Sequence, residues 1–102
     1  MKIISFETKD YELADFARAG EYGLQAQLCT ENLDESNAER VRGFEGVTTL
    51  GFSDLRAPML RRLAAQGVKY LATRTVGFNH IDLAAAKECG IRVSNACYEP
   101  YN

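Results

Sequence analysis

The chain has 102 residues, of which 46% are hydrophobic and 25% charged, and its formal net charge is −2. These values fit one small globular domain that buries roughly two thirds of its unfolded surface. They exclude the basic footprint of a nucleic-acid-binding protein, and no apolar run approaches the roughly 20 residues of a membrane helix.

In chain order, Lys2–Phe6 reads as a first strand, and an N-terminus of that kind predicts no signal peptide. Asp10–Ala19 reads as a helix with Leu13, Phe16 and Ala17 on one face and Gly20 at its end. Leu24–Cys29 alternates Leu24, Ala26 and Leu28 against Gln25 and Gln27, the pattern of a half-exposed edge strand. Asp34–Arg42 carries a weaker helical pattern with Ala38 and Val41 before Gly43. Val47–Leu50 is the third strand. Pro58 suits the first helical position, followed by Met59, Leu60 and Leu63 at core spacing and a stop at Gly67. Val68–Thr73 is the fourth strand, Asp82 is a plausible cap for a helix Leu83–Cys89 closed by Gly90, and Ile91–Ser94 is the fifth strand.

Strands that recur about every 22 residues with helical patterns between them predict strand–helix units with right-handed crossovers. The expected fold is α/β and flavodoxin-like: an open parallel five-stranded sheet, order 2-1-3-4-5, with helices on both faces. No helix follows the fifth strand before Asn102, so part of one sheet face is expected to lie bare.

The three cysteines, Cys29, Cys89 and Cys97, form no Cys-x-x-Cys pair, and His80 is the only histidine, so no metal site is expected. The cysteines read as reduced thiols packing as small apolar groups in a cytoplasmic protein.

Ligands of open parallel sheets bind beyond the carboxyl ends of the strands. That rule selects Glu7–Lys9, Gly51–Ser53, Arg74–Asn79 and Asn95–Tyr98. In the third of these, Gly77 would turn the backbone and let a ligand approach, and the amides of Val76 and Gly77 could meet an anion such as a small carboxylate. His80 is expected to pack or hydrogen-bond within the turn, and Asp82 to cap a helix. Arg74 is expected to sit in a structural ion pair or solvent, with anion contact as the other reading. Arg61 and Arg62 suit a solvated helix face.

Residues 67–87, from Gly67-Val68-Lys69-Tyr70 through Thr73-Arg74-Thr75-Val76-Gly77-Phe78-Asn79-His80-Ile81-Asp82 to Lys87, resemble the D-isomer-specific 2-hydroxyacid dehydrogenases. The similarity is greatest to the D-lactate dehydrogenase branch, including the vancomycin-resistance type. Gly90-Ile91-Arg92-Val93-Ser94-Asn95 and Tyr98-Glu99-Pro100 continue it, and Asp34-Glu35-Ser36-Asn37-Ala38 is a weaker echo. Ala96-Cys97 and Glu99 depart from the family pattern. The resemblance implies that Val76 and Gly77 hold a substrate carboxylate through backbone amides, that Tyr98 lines the same cleft, and that Leu50, Gly51 and Phe52 shape the side-chain pocket.

The resemblance further implies that residues 1–102 are a substrate-binding domain segment, and that the parent enzyme uses NAD to reduce a 2-keto acid to the D-2-hydroxy acid. The family's Gly-x-Gly-x-x-Gly, arginine, acidic residue and catalytic histidine belong to a nucleotide-binding domain absent from this sequence. The chain alone is therefore expected to hold no catalytic or cofactor-binding residue and to be inactive, with at most weak binding of a 2-keto or 2-hydroxy acid. A different reading is a stand-alone or excised folding module that forms a homodimer through the bare sheet face. A phosphoacceptor receiver is excluded, because Leu50-Gly51-Phe52 offers no aspartate after the third strand.

Overall fold

Each of the five apolar runs becomes a parallel strand. In the computed structural model, which describes residues 1–95 (apart from the side chains of Ala19 and Tyr22), the strands are β1 (Lys2–Ser5), β2 (Gln25–Leu28), β3 (Gly46–Thr49), β4 (Tyr70–Thr73) and β5 (Arg92–Asn95). They form one sheet of order β2-β1-β3-β4-β5, as the strand–helix rhythm predicts. The register aligns Ile4 with Val47, Val47 with Leu71 and Leu71 with Val93. A single apolar row therefore crosses the middle of the sheet.

That row faces the main core. Helix α2 (Ala57–Ala65) buries Met59, Leu60 and Leu63, helix α3 (Leu83–Glu88) buries Ala85 and Ala86, and a 3-10 turn at Ala38–Val41 buries Ala38 and Val41. These side chains join Ile4, Phe6, Val47 and Leu71 in one cluster. Pro58 stands one residue inside α2 rather than first, still in the turn where a missing N–H costs nothing. The Asp82 carboxylate caps α3 by accepting the Ala85 N–H at 3.0 Å. Gly67 and Gly90 end the two helices with φ of 99° and 75°, a conformation that spares a glycine the β-carbon clash any other residue would meet.

Two of the expected helices are reduced. Between Asp34 and Arg42 only the 3-10 turn forms. Ser36 donates its N–H and hydroxyl to the Asp34 carboxylate, and Asn37 binds the Asp34 N–H and the Asn32 carbonyl. Such local side-chain bonds compete with helical ones. The segment after β1 breaks into a 3-10 turn (Asp10–Glu12), helix α1 (Leu13–Arg18) and a second 3-10 turn (Ala19–Tyr22). Gly20 lies inside that last turn, and the chain reverses at Gly23 instead.

Residues on α1 also miss the expected burial: Leu13 is 47% exposed, Ala17 is exposed and Phe16 is half-buried. The reason is placement. Pleat alternation puts Thr48 and Arg74 on the sheet face opposite Val47 and Thr73. The Arg74 guanidinium, which donates to Thr48 Oγ1 at 3.0 Å, lies 5.5 Å from the centre of the Phe16 ring. Helices thus flank both faces, but α1 covers the second face through a cation and not through an apolar layer.

On β2 the expected edge position holds, but the Ala26–Leu28 row lies on this second face, while Gln27 pairs in register with Ile4. Leu28, Tyr70, Arg92 and Ser94 are all exposed there.

Leu63→Ala is expected to lower the unfolding free energy by about 2–5 kcal/mol, whereas Leu13→Ala should stay within about 0.5 kcal/mol. Urea denaturation of both variants checks the unequal roles of the two helices. Gly67→Ala, whose added β-carbon would meet nothing within 4 Å, should cost about 1–2 kcal/mol from backbone strain alone.

Candidate functional site

The carboxyl ends of β1, β3 and β4 bring three loops to one edge of the sheet, where β5 also ends at Asn95. The loops after β3 and β4 touch. Leu55 and Ile81 form a parallel bridge, and a β-carbon built on Gly51 would stand 3.9 Å from Thr75 Cγ2. Leu50 is half-buried in the first loop, and Phe52 projects from it with 82% of its surface exposed. Val76 and Gly77 sit at the tip of the second, Val76 being 66% exposed. Tyr98, Ala96, Cys97 and Glu99 lie outside the described residues.

The Val76–Gly77 turn is wired from behind. Thr75 donates its hydroxyl to the Gly77 carbonyl at 2.8 Å. Because that proton is committed, the 2.8 Å contact between Thr73 and Thr75 runs from the Thr73 hydroxyl to Thr75. The 3.2 Å contact between His80 Nε2 and Thr73 must then be donated by the imidazole. His80 therefore supports the turn, as its position in the sequence suggests. The Val76 carbonyl accepts from Asn95 Nδ2. Both carbonyls of the pair are occupied, and among the described residues no acceptor meets the N–H of Val76 or of Gly77.

The φ of Gly77 is not positive, so the turn does not depend on a left-handed residue there. A β-carbon on Gly77 would meet nothing within 4 Å, so what the glycine provides is open space above the backbone. At the amino end of α3 the Asp82 side chain accepts the Ala85 N–H, as expected of a cap.

Arg74 follows the structural reading. Its Nε donates to Glu12 Oε2 at 2.6 Å, and its Nη2 donates to the carbonyls of Phe6 and Glu7, each at 2.9 Å. These contacts, with the bond to Thr48, tie the loop after β4 to the exit of β1. Arg62 pairs with Glu39 at 3.0 Å beside α2, away from the strand ends, and Arg61 is exposed. Hydrogen bonds from Ser36 hold the Asp34 carboxyl below its usual range, and the Arg56 guanidinium does the same for Asp54. Among the described residues, no group of three or more His, Cys, Asp or Glu side chains could hold a metal ion, and no helix is long and apolar enough to cross a membrane.

Sequence reasoning placed Glu7 in the strand-end segment Glu7–Lys9 but gave its side chain no role. It is 1% exposed, has a φ of 56°, and aims its carboxylate at the loop after β3. An acidic residue just past a strand ordinarily faces water, so only the partners across the sheet edge identify its role.

The model of the D-isomer specific 2-hydroxyacid dehydrogenase catalytic domain matches residues 3–100. An aromatic 2-oxoacid reductase of Clostridium sporogenes is 37% identical over 98% of this chain and 31% of its own length. The solved apo-structure of D-lactate dehydrogenase from Escherichia coli superposes with a TM-score of 0.90 at 35% identity, covering 98% of this chain and 32% of that one. The structure of D-lactate dehydrogenase with NAD+ from Lactobacillus jensenii has a TM-score of 0.82 at 31% identity, covering 99% of this chain and 32% of that one. The chain thus spans about a third of the length of these relatives. With the match of fold, strand order and nearly the whole sequence, the chain belongs to the D-isomer-specific 2-hydroxyacid dehydrogenase family, within its catalytic domain.

Proposed function

We propose that this chain is the substrate-binding segment of an NAD-dependent D-2-hydroxyacid dehydrogenase that reduces a 2-keto acid such as pyruvate, in a cytoplasmic setting. The observation that supports this reading is the Val76–Gly77 turn. Its carbonyls are taken up by Asn95 and Thr75, while its two N–H groups meet no acceptor among the described residues. Backbone amides held in this way suit the carboxylate of a 2-keto acid, because a charged acceptor strengthens each bond and the ordering cost is already met. Leu50 and Phe52, across the Gly51–Thr75 contact, would border the substrate's side chain. Tyr98 would complete the cleft by its family position.

NAD does not fit the residues present. The 102 residues contain no Gly-x-Gly-x-x-Gly turn, and their only histidine is committed to Thr73. This chain's own contribution is therefore binding and orientation.

Titrating the isotope-labelled chain with millimolar pyruvate should shift the amide resonances of Val76 and Gly77 more than those of α2. No movement at either amide overturns the anchoring role. The purified 102-residue protein should show no NADH-dependent reduction of pyruvate, and measurable turnover would falsify the confinement of the chain to binding.

A second reading, an association module, draws on Leu28 and Tyr70, both exposed on the thinly covered sheet face. It expects a homodimer through that face. Sedimentation at several concentrations tests it, and a strict monomer throughout excludes it.

A further inference from the structure

Glu7 leaves β1 one residue beyond Phe6 and is held on every side. Its N–H donates to the Glu31 carbonyl at 2.8 Å, and its own carbonyl accepts from Arg74 at 2.9 Å. Its φ of 56° is one that a long side chain adopts only when the surroundings over-determine it. The carboxylate is buried, and among the described residues it forms no ion pair, so hydrogen-bond donors must stabilise its charge.

All three of those donors come from one short loop. Glu7 Oε2 accepts the Leu50 N–H at 3.0 Å and the Ser53 hydroxyl at 2.6 Å, and Oε1 accepts the Phe52 N–H at 3.0 Å. The direction of the Ser53 bond is forced, because Ser53 Oγ already accepts the Leu33 N–H at 2.9 Å and a carboxylate can only accept. Three donors converge on an acceptor-only group. A glutamine cannot take its place without loss, since its single oxygen faces either Leu50 and Ser53 or Phe52, and its NH2 then meets an N–H.

The location gives this clamp a consequence. β1 and β3 are neighbours in the sheet, and the order reverses between them, which is where an open α/β sheet leaves its binding crevice. The Glu7 carboxylate lies across that gap. By gripping the backbone of Phe52 while the phenyl ring stays outside, it fixes the direction in which the ring projects.

We infer that Glu7 is a positioning residue whose carboxylate holds the loop of residues 50–53 in one shape, and so sets which 2-keto-acid side chains the site accepts. The inference rests on the reading of Val76 and Gly77 as the carboxylate anchor. It concerns a different loop and a different part of the substrate.

The test compares the wild-type chain with Glu7→Gln and Ser53→Ala. It measures amide hydrogen exchange at Leu50 and Phe52, and dissociation constants for pyruvate and phenylpyruvate by NMR titration. Glu7→Gln should speed exchange at one of those amides about tenfold, the effect of one lost hydrogen bond to a charged group. It should also change the ratio of the two dissociation constants about fivefold, while pyruvate still shifts Val76 and Gly77. Ser53→Ala should move both readouts the same way by less, and it decides the matter if Glu7→Gln does not fold. Unchanged exchange at both amides overturns the clamp. Faster exchange with an unchanged ratio overturns its role in selectivity. If neither acid binds the wild-type chain, the anchor reading fails and the selectivity role falls with it, an outcome distinct from the other two because the exchange data still report on the clamp.

Discussion

The guanidinium of Arg74 is the interaction on which this edge of the sheet depends. It projects past the end of β4 and binds the Glu12 carboxylate, the Thr48 hydroxyl and the carbonyls of Phe6 and Glu7, with the Phe16 ring packed alongside. The ion pair with Glu12 is largely buried, at 15% and 12% side-chain exposure. Burying two charges is unfavourable unless the remaining donors are also satisfied. Here the other nitrogens find oxygens just past β1 and on β3, so one side chain joins the exits of three strands. The planar fork of arginine suits that task, and a lysine ammonium could not span the same set of acceptors.

The two faces of the sheet are built on different chemistry as a result. One is an apolar layer of Ile4, Val47 and Leu71 under the leucines of α2. The other carries Ser5, Thr48 and Ala72 and is bridged to α1 by charge and an aromatic ring. A polar bridge of that kind orients elements without providing the area of an apolar core, and exposed apolar side chains such as Leu13 and Leu28 remain around it.

The loops at the carboxyl edge follow one pattern. Their carbonyls and carboxylates are tied inward, by Thr75 and Asn95 at the Val76–Gly77 turn and by Ser53 and two amides at Glu7. Backbone that is braced from behind can present its remaining donors outward without reorganising when a ligand arrives, and that is the physical basis of a preorganised anion site.

The number, order and direction of the strands were legible in the amino-acid sequence, because apolar runs separated by capped helical patterns leave few topologies open. The Asp82 cap, the glycine stops at Gly67 and Gly90, and the family of the chain were legible for the same reason: each rests on residues adjacent in sequence. Tertiary structure alone decided the rest. Leu13 and Leu63 both sit at helical core spacing, yet only the second is buried, because burial depends on what lies across the sheet. Asp34–Arg42 reads as a helix, yet the bonds around Asp34 and Asn37 hold it to a single turn. Glu7 falls in a strand-end segment to which the sequence assigns no particular role, and it becomes a clamp because Leu50, Phe52 and Ser53, more than forty positions away, supply its donors. Local pattern determines local structure, whereas the worth of a buried charge depends on partners that only folding brings within reach.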